Sequence, residues 1–332
     1  SGLVGSEMCI RDRILTGIQS TGTPHLGNIL GAILPAIKMA NSSDEESYLF
    51  IANMHSLTQI KDKNTLTENT FSTAAAWLSF GLDPNKSCFF RQSDVPEVTE
   101  LAWYLSCFFP YQRLKLAHSF KDKSDNLKEV NSGLFSYPML MSADILLYDA
   151  DIVPVGKDQL QHLEMTRDVA TRFNKVMGEA FVIPKAKIQE ETKYVTGTDG
   201  EKMSKSKNNI IDIFVDDKVL KKQIMKIQTE SLSIEDAKDP QKCNVFKLYQ
   251  LIAENGKVSK IKERYLSGGI GYGEIKGLLY SEILDKFSEN RAKFFELQEN
   301  KELVEELLIN GSQRARQRAQ IVLKRVRALV GY

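Results

Sequence analysis

The stretch Ile14-Leu15-Thr16-Gly17-Ile18-Gln19-Ser20-Thr21-Gly22-Thr23-Pro24-His25-Leu26-Gly27-Asn28 joins a short apolar run to the start of a helical pattern. Ile14–Ile18 reads as a buried strand. Beyond it, Leu30, Ile33, Leu34 and Ile37 recur at i, i+3, i+4 and i+7, one face of a helix beginning near Leu26. Pro35 lies inside that helix, where it removes a backbone donor and crowds the carbonyl of residue 31. Residue 31 is glycine, so the pattern predicts a kink rather than a break. The glycines between strand and helix let the backbone approach a nucleotide closely, and the helix start aims free N–H groups at phosphate. A turn of this kind can also serve packing alone, so it fixes a fold before it fixes a function.

Working outward, Tyr48–Ala52, Cys88–Gln92 and Ile152–Val155 are further strand candidates with amphipathic stretches between them. Asn64 and Thr67 precede one such helix, which runs to about Phe80 before Gly81 and Pro84. Strands alternating with helices predict an α/β fold, a Rossmann-like doubly wound parallel sheet covered on both faces. Ligands in such folds bind beyond the C-terminal ends of the strands. After about Ile213 the pattern becomes helical, over Asp217–Gln228, Asn244–Glu254, Lys257–Leu266, Tyr272–Glu289 and Arg291–Leu308, a smaller C-terminal all-helical domain. Ser312 is placed to cap a last helix with a stripe of Ala315, Ala319, Val322, Val326 and Leu329. Its other faces carry Arg314, Arg316, Arg318, Lys324, Arg325 and Arg327. Ser1–Asp12 has no periodicity and reads as an extension outside the fold, non-native or disordered.

The chain of 332 residues carries a formal net charge of +1, so any nucleic-acid partner is held by local basic patches rather than by a global field. The four cysteines (Cys9, Cys88, Cys107, Cys243) show no C-x-x-C spacing, which fits a reducing cytoplasm and no zinc site. His25, His55, His118 and His162 lack metal-ligand spacing, and His162 reads as a packed helix residue. No apolar run approaches a membrane span, and no secretory leader is evident.

The strongest chemical signal is Lys202-Met203-Ser204-Lys205-Ser206, followed by Lys207 and preceded by Gly197 and Gly200. Lysine ammonium groups and serine hydroxyls suit a polyphosphate whose leaving group gains charge as it departs. The full string resembles the signature loop of class I aminoacyl-tRNA synthetases. His25-Leu26-Gly27-Asn28 resembles their other signature, histidine-x-glycine-histidine, with asparagine in the fourth place, and the two occur in the family's order.

A third segment points to the amino acid. In Tyr137-Pro138-Met139-Leu140-Met141-Ser142-Ala143-Asp144-Ile145-Leu146-Leu147-Tyr148, the residues Tyr137, Met141, Asp144 and Tyr148 share one helical face. One carboxylate on an apolar, aromatic face suits a large apolar ligand with one N–H donor, or an interior Asp paired within the protein. The next stretch, Asp151-Ile152-Val153-Pro154-Val155-Gly156-Lys157-Asp158-Gln159-Leu160-Gln161-His162, with Glu164–Asp168, closely resembles tryptophanyl-tRNA synthetases of bacterial type.

The resemblance implies that Asp144 accepts the indole N–H, with Tyr137, Met141, Ile145, Val153, Val155 and Gly17 around the ring. It implies that Gln159 meets the amino-acid head group and that His55 lies near the substrate. Gln19, Gly27, Asn28, Gly156, Asp158, Lys202, Met203, Ser204 and Lys205 match contacts to ATP. Lys202, Lys205, Lys123 (with Lys121 beside it), Gln19 and His25 match positions serving the reacting phosphates. The implied reaction activates L-tryptophan with ATP, carrying Mg²⁺ on its phosphates, and charges tRNA(Trp). The resemblance also implies a nucleotide-binding catalytic domain over residues 13–211, completed by residues 311–332. It implies too a helical anticodon-binding domain over residues 212–310 and a homodimer that engages neither membrane nor DNA. Departures from the family pattern are Leu15 where an aromatic is common, Asn53 for an acidic residue, and Lys157 for a frequent Glu. Lys207-Asn208-Asn209 replaces a common Asp-Pro. A tyrosine–tRNA ligase of the same architecture and a non-catalytic nucleotide- or RNA-binding paralogue are the alternatives.

Overall fold

The computed structural model describes residues 13–42, 46–117, 130–156, 159–188 and 195–332. The extension Ser1–Asp12, the basic cluster around His118, Phe120, Lys121 and Lys123, and Lys157 and Asp158 lie outside the described residues.

Strand β1 (Arg13–Ile18) leads through the glycine-rich turn into helix. The helical path starts at Leu26–Asn28, widens into a π turn over Ile29–Ile33 and continues as α1 (Leu34–Ser42). In the widened turn the Leu34 N–H donates to the carbonyl of Ile29, five residues back. That local unwinding sits where Pro35 would otherwise crowd the preceding turn, so the path bends without stopping. β2 (Glu46–Ile51) follows, then α2 (Lys63–Ser79). Asp62 caps α2 by accepting from the Thr65 N–H at 2.7 Å, so Asn64 and Thr67 lie inside the helix rather than before it. An Asp immediately before the first turn outcompetes later polar residues as a cap.

β3 (Cys88–Arg91), α3 (Glu97–Phe108), α4 (Ser132–Leu146), β4 (Ile152–Val155) and α5 (Leu160–Met177) come next, and then a fifth strand, β5 (Lys185–Ile188). The sequence pattern did not single out β5. Its alternating lysines read as loop, but they suit a short edge strand, where charge blocks further pairing. The sheet order is β3-β2-β1-β4-β5 with every pairing parallel. The order reverses between β1 and β4, which opens a crevice at the C-terminal end of β1.

Alternation along the strands sorts two cores. Leu49, Ile51 and Phe89 face Leu26, Ile29, Ile33 and Trp77, in a core that continues into the helical region through Ile211, Phe246, Leu279 and Leu308. Leu15, Tyr48, Phe50, Cys88 and Phe90 face α3, α4 and α5 on the other side. Strands covered on both faces are apolar throughout, which is why they stood out as runs.

The rest is helical: α6 (Asp217–Met225), α7 (Asn244–Ile252), α8 (Asn255–Ser267), α9 (Tyr272–Glu299) and α10 (Lys301–Val330). The structure corrects two expectations in this region. The breaks near residue 290 and before Ser312 do not occur; the chain breaks once, at Asn300, whose side chain caps α10 by accepting from Leu303 N–H. Ser312 is inside α10, where its single hydroxyl proton is shared between the Leu308 carbonyl at 2.7 Å and Asp94 at 3.1 Å. A cap-type residue can sit mid-helix when its hydroxyl bonds the i−4 carbonyl and finds a tertiary partner.

Helix α10 crosses β3 at Gly311, where an added Cβ would lie 1.7 Å from the Phe89 carbonyl oxygen. Its arginines are spent on the α/β portion. Arg316 chelates Glu97, Arg327 pairs with Glu100, and Arg318 and Arg325 converge on the buried Asp149.

Candidate active site

The glycine-rich turn closes on itself through His25. Its Nδ1 accepts from the Asn28 N–H at 3.3 Å, and the Asn28 side chain accepts from the His25 N–H at 3.2 Å. With Nδ1 engaged as an acceptor, a neutral ring carries its proton on Nε2. Burial, and then the Lys205 ammonium, lower the His25 pKa from 6.5 to about 4, so the ring is neutral near pH 7. Gly17 and Gln19 are exposed, and Gly27 and Asn28 are half-buried.

The lysine–serine loop docks on this turn, although 176 residues separate the contacting positions. The Met203 sulfur accepts from the Gly27 N–H at 3.3 Å, and Met203 is buried. Lys205 Nζ donates to the Thr21 carbonyl at 3.1 Å and sits 2.7 Å from where a Cβ on Gly22 would stand. Gly22 has φ +114°, so a side chain there would be strained as well as crowded. Burial pulls the Lys205 pKa down, opposed by the Asp212 carboxylate. Lys202 and Ser206 are exposed and Ser204 half-buried. The two signature segments thus form one junction bearing ammonium groups, hydroxyls and a buried neutral imidazole.

A second cluster lies where β2, β3 and α4 meet. Asp144 is 2% exposed on the inner face of α4. Its Oδ1 accepts from Gln92 Nε2 at 2.8 Å, and its Oδ2 lies 2.9 Å from the same nitrogen and 2.8 Å from His55 Nε2. Burial pushes the carboxyl above its usual range, and the bonds from His55 and Gln92 pull partly against that. Tyr137 meets the His55 ring edge-on at 6.0 Å, and its hydroxyl is 2.6 Å from His162 Nε2, which places His162 as a packed helix residue. Tyr148 stacks on Tyr48 at 5.2 Å and meets Phe90 edge-on at 5.4 Å. Ile145, Val153 and Val155 are buried on the same side of the sheet, and Met141 is half-buried. The Gly156 carbonyl accepts from the Gln159 N–H at 3.0 Å where β4 turns into α5. The Ser20 and Ser56 hydroxyls, 3.1 Å apart, tie the glycine-rich turn to the short helix that carries His55.

Three residues of the site were not singled out by the sequence pattern. Gln92 follows β3 and looked like the end of a strand; its position at a C-terminal strand end was the available signal. Phe50 pairs with Gly17 across β1 and β2, and its ring fills the space over that glycine, 2.5 Å from where a Cβ would stand. With Leu15 in the same core, an aromatic on the neighbouring strand stands beside the position where the family pattern has one. Asn209, which follows the lysine–serine loop, is the third. At Asn53 the charge question is answered by geometry. Its side chain makes a reciprocal neutral pair with Ser93, at 2.9 and 3.1 Å, joining the ends of β2 and β3.

These features define a nucleotide-binding sheet with both phosphate signatures of a class I synthetase. Residues 10–288 match the family of class I tRNA synthetases (W and Y), and the chain belongs to that family. Among its curated relatives is the tryptophan–tRNA ligase of Campylobacter jejuni strain RM1221, 46% identical, covering 96% of this chain and 99% of the relative. That of Rhodopirellula baltica is also 46% identical, with 96% and 99% covered. A crystal structure of Campylobacter jejuni tryptophanyl-tRNA synthetase complexed with ADP and tryptophan superimposes with a TM-score of 0.92. Its identity is 46%, over 96% of this chain and all of that one.

Proposed function

We propose that the protein is a tryptophan–tRNA ligase that activates L-tryptophan with ATP and transfers the tryptophanyl group to tRNA(Trp). The observation that carries the amino-acid assignment is the buried Asp144 carboxylate, presented on an aromatic face and flanked by His55 and Gln92. The Campylobacter jejuni relative of known structure holds tryptophan and ADP together.

In the first step the tryptophan carboxylate attacks the α-phosphate of ATP, forming tryptophanyl-adenylate and releasing pyrophosphate. The protein supplies alignment and charge stabilisation rather than a covalent nucleophile. Asp144 takes the indole N–H, with Tyr137, Met141, Ile145, Val153, Val155 and Gly17 bordering the ring. Gln159 orients the head group, and His55 lies near the substrate, bonded to Asp144. Gln19, Gly27, Asn28, Gly156 and Asp158 hold the nucleotide, and Met203 and Ser204 border it. Lys202, Lys205 and Lys123 neutralise the departing pyrophosphate, assisted by the Nε2–H of His25. Among the described residues no group of three or more His, Cys, Asp or Glu is placed to hold a metal ion. Mg²⁺ travels on the triphosphate in this reading and screens its charge. In the second step the terminal ribose of the tRNA accepts the tryptophanyl group.

The proposal assigns residues 13–211 with 311–332 to catalysis and residues 212–310 to the anticodon. The working form is a cytoplasmic homodimer; the exposed Trp103 and Tyr111 of the α3 region, 69% and 59% accessible, offer apolar surface for a partner copy. No helix among the described residues is long and apolar enough to cross a membrane. ATP–pyrophosphate exchange measured with each standard amino acid tests the reading. Exchange driven by tryptophan alone is expected; exchange driven by tyrosine instead would overturn it.

A further inference from the structure

The lysine–serine loop must hold a defined shape for its lysines to meet phosphate, yet Lys202, Ser206 and Lys207 are exposed. A backbone bridge pairs Thr196 with Lys202, with Met203 N–H donating to the Val195 carbonyl at 3.0 Å, and a side chain that follows the loop completes its shape. The backbone turns through a left-handed residue at Asn208 (φ 52°, ψ 33°), a conformation asparagine tolerates better than other non-glycine residues. That turn folds the next residue back into the loop. Asn209 is 2% exposed. Its Oδ1 accepts from the Ser204 N–H at 2.7 Å, and its Nδ2 donates to the Lys202 carbonyl at 3.1 Å and to Asp199 Oδ1 at 2.7 Å. Its own carbonyl accepts from the Thr198 N–H at 2.9 Å.

The loop is built around this amide. Gly197 passes so close that a Cβ there would lie 2.4 Å from the Asn209 amide and 2.6 Å from its carbonyl oxygen. Asp199 spends the same oxygen on the Glu201 N–H, at 3.0 Å, so one carboxylate and one amide add to the backbone bridge in holding residues 199–204. The opposite side of the loop carries Met203 against Gly27 and Lys205 against Thr21. We propose that Asn209 is the positioning residue of the phosphate loop, setting the direction of Lys202 and Ser204 through the backbone bonds its amide makes. It touches neither substrate in this arrangement and acts through the backbone of the residues that do. This inference deepens the ligase reading and rests on it.

The test uses the full-length chain and four readouts: exchange kcat, KM for ATP, tryptophan binding by equilibrium dialysis without ATP, and thermal melting. Asn209→Ala should lower exchange kcat about 100-fold, the scale of an ångström-level misplacement, while tryptophan affinity changes less than about twofold. Asn209→Asp keeps the acceptor for Ser204 but replaces the donating nitrogen with an oxygen that faces both Asp199 and the Lys202 carbonyl, and should lose as much. Combining Asn209→Asp with Asp199→Asn restores one amide–carboxylate bond but gives up the acceptor for the Glu201 N–H, so exchange should recover over Asn209→Asp alone by less than about tenfold. Unchanged exchange in Asn209→Ala would overturn the proposal. So would a parallel loss of exchange, tryptophan binding and melting temperature, which marks a general structural role. If the unmutated protein shows no tryptophan-driven exchange, the ligase reading falls first and this inference falls with it.

Discussion

The phosphate junction and the amino-acid pocket are held together in opposite ways. At the junction, segments roughly 180 residues apart meet through a sulfur acceptor and one lysine bonded to a carbonyl, at the protein surface. In the pocket, Asp144, His55 and Gln92 are buried and bonded to one another by side chains alone. A lysine resting on a carbonyl can exchange that bond for a phosphate oxygen at little cost, because both are oxygen acceptors. A buried carboxylate cannot be left unpaired so cheaply. The junction is therefore suited to transient charge, and the pocket to discrimination.

The largest effect expected from breaking this contrast is at the junction. Lys205→Ala should reduce ATP–pyrophosphate exchange by about 10²–10³-fold, as removal of a charge-stabilising donor does. Tryptophan binding without ATP should stay unchanged. If both fall together, the two regions are not separable.

Asp144→Ala strands two buried donors and removes the indole acceptor. An unsatisfied buried group costs about 1–3 kcal/mol, so the tryptophan KM should rise by roughly 5- to 150-fold. The ATP KM should move far less, and equal rises would refute the assignment. Gln92→Met, of similar size but without donors, should give a smaller rise in tryptophan KM, about tenfold, with exchange kcat nearly intact. Kinetics with tryptophan and ATP varied separately check both.

The last effect, read in stability rather than in rate, is a pH dependence at His25. Its folded pKa lies below its unfolded value, so between pH 6.5 and about 4 the unfolded chain binds more protons. Stability from this residue is fully present above pH 6.5 and is lost as pH falls toward 4. Denaturant titrations of the protein and of His25→Asn across that window should diverge on the acid side. Parallel curves would contradict a buried neutral ring.

The junction was legible in the sequence because phosphate chemistry dictates residue types: two glycine-bounded strings carry it, and the structure joins them. The first four strands were legible because both faces of the sheet are covered. Gln92 and Phe50 were not, since a residue ending a buried strand looks like the rest of the strand until its neighbours are known. β5 hid behind its lysines. Asn300 and Ser312 traded roles because cap-type side chains are common in both settings. The tertiary bond from Ser312 to Asp94 decides between them. Asn209 was visible only as a departure from a family pattern, and its meaning needed the left-handed turn before it.

The crossing of α10 over β3 has a consequence for biogenesis. Cys88 bonds the carbonyl of Gly311, 223 residues further along the chain. A ribosome therefore finishes the nucleotide-binding strands long before it delivers the helix that covers their edge. Until then Phe89, Phe90 and their neighbours lack that cover, and the nascent sheet is exposed to mispairing. With contacts of such long range, maturation should be slow and dependent on the last helix emerging. A chain released before that helix is made would have both signature segments and nowhere stable to hold them.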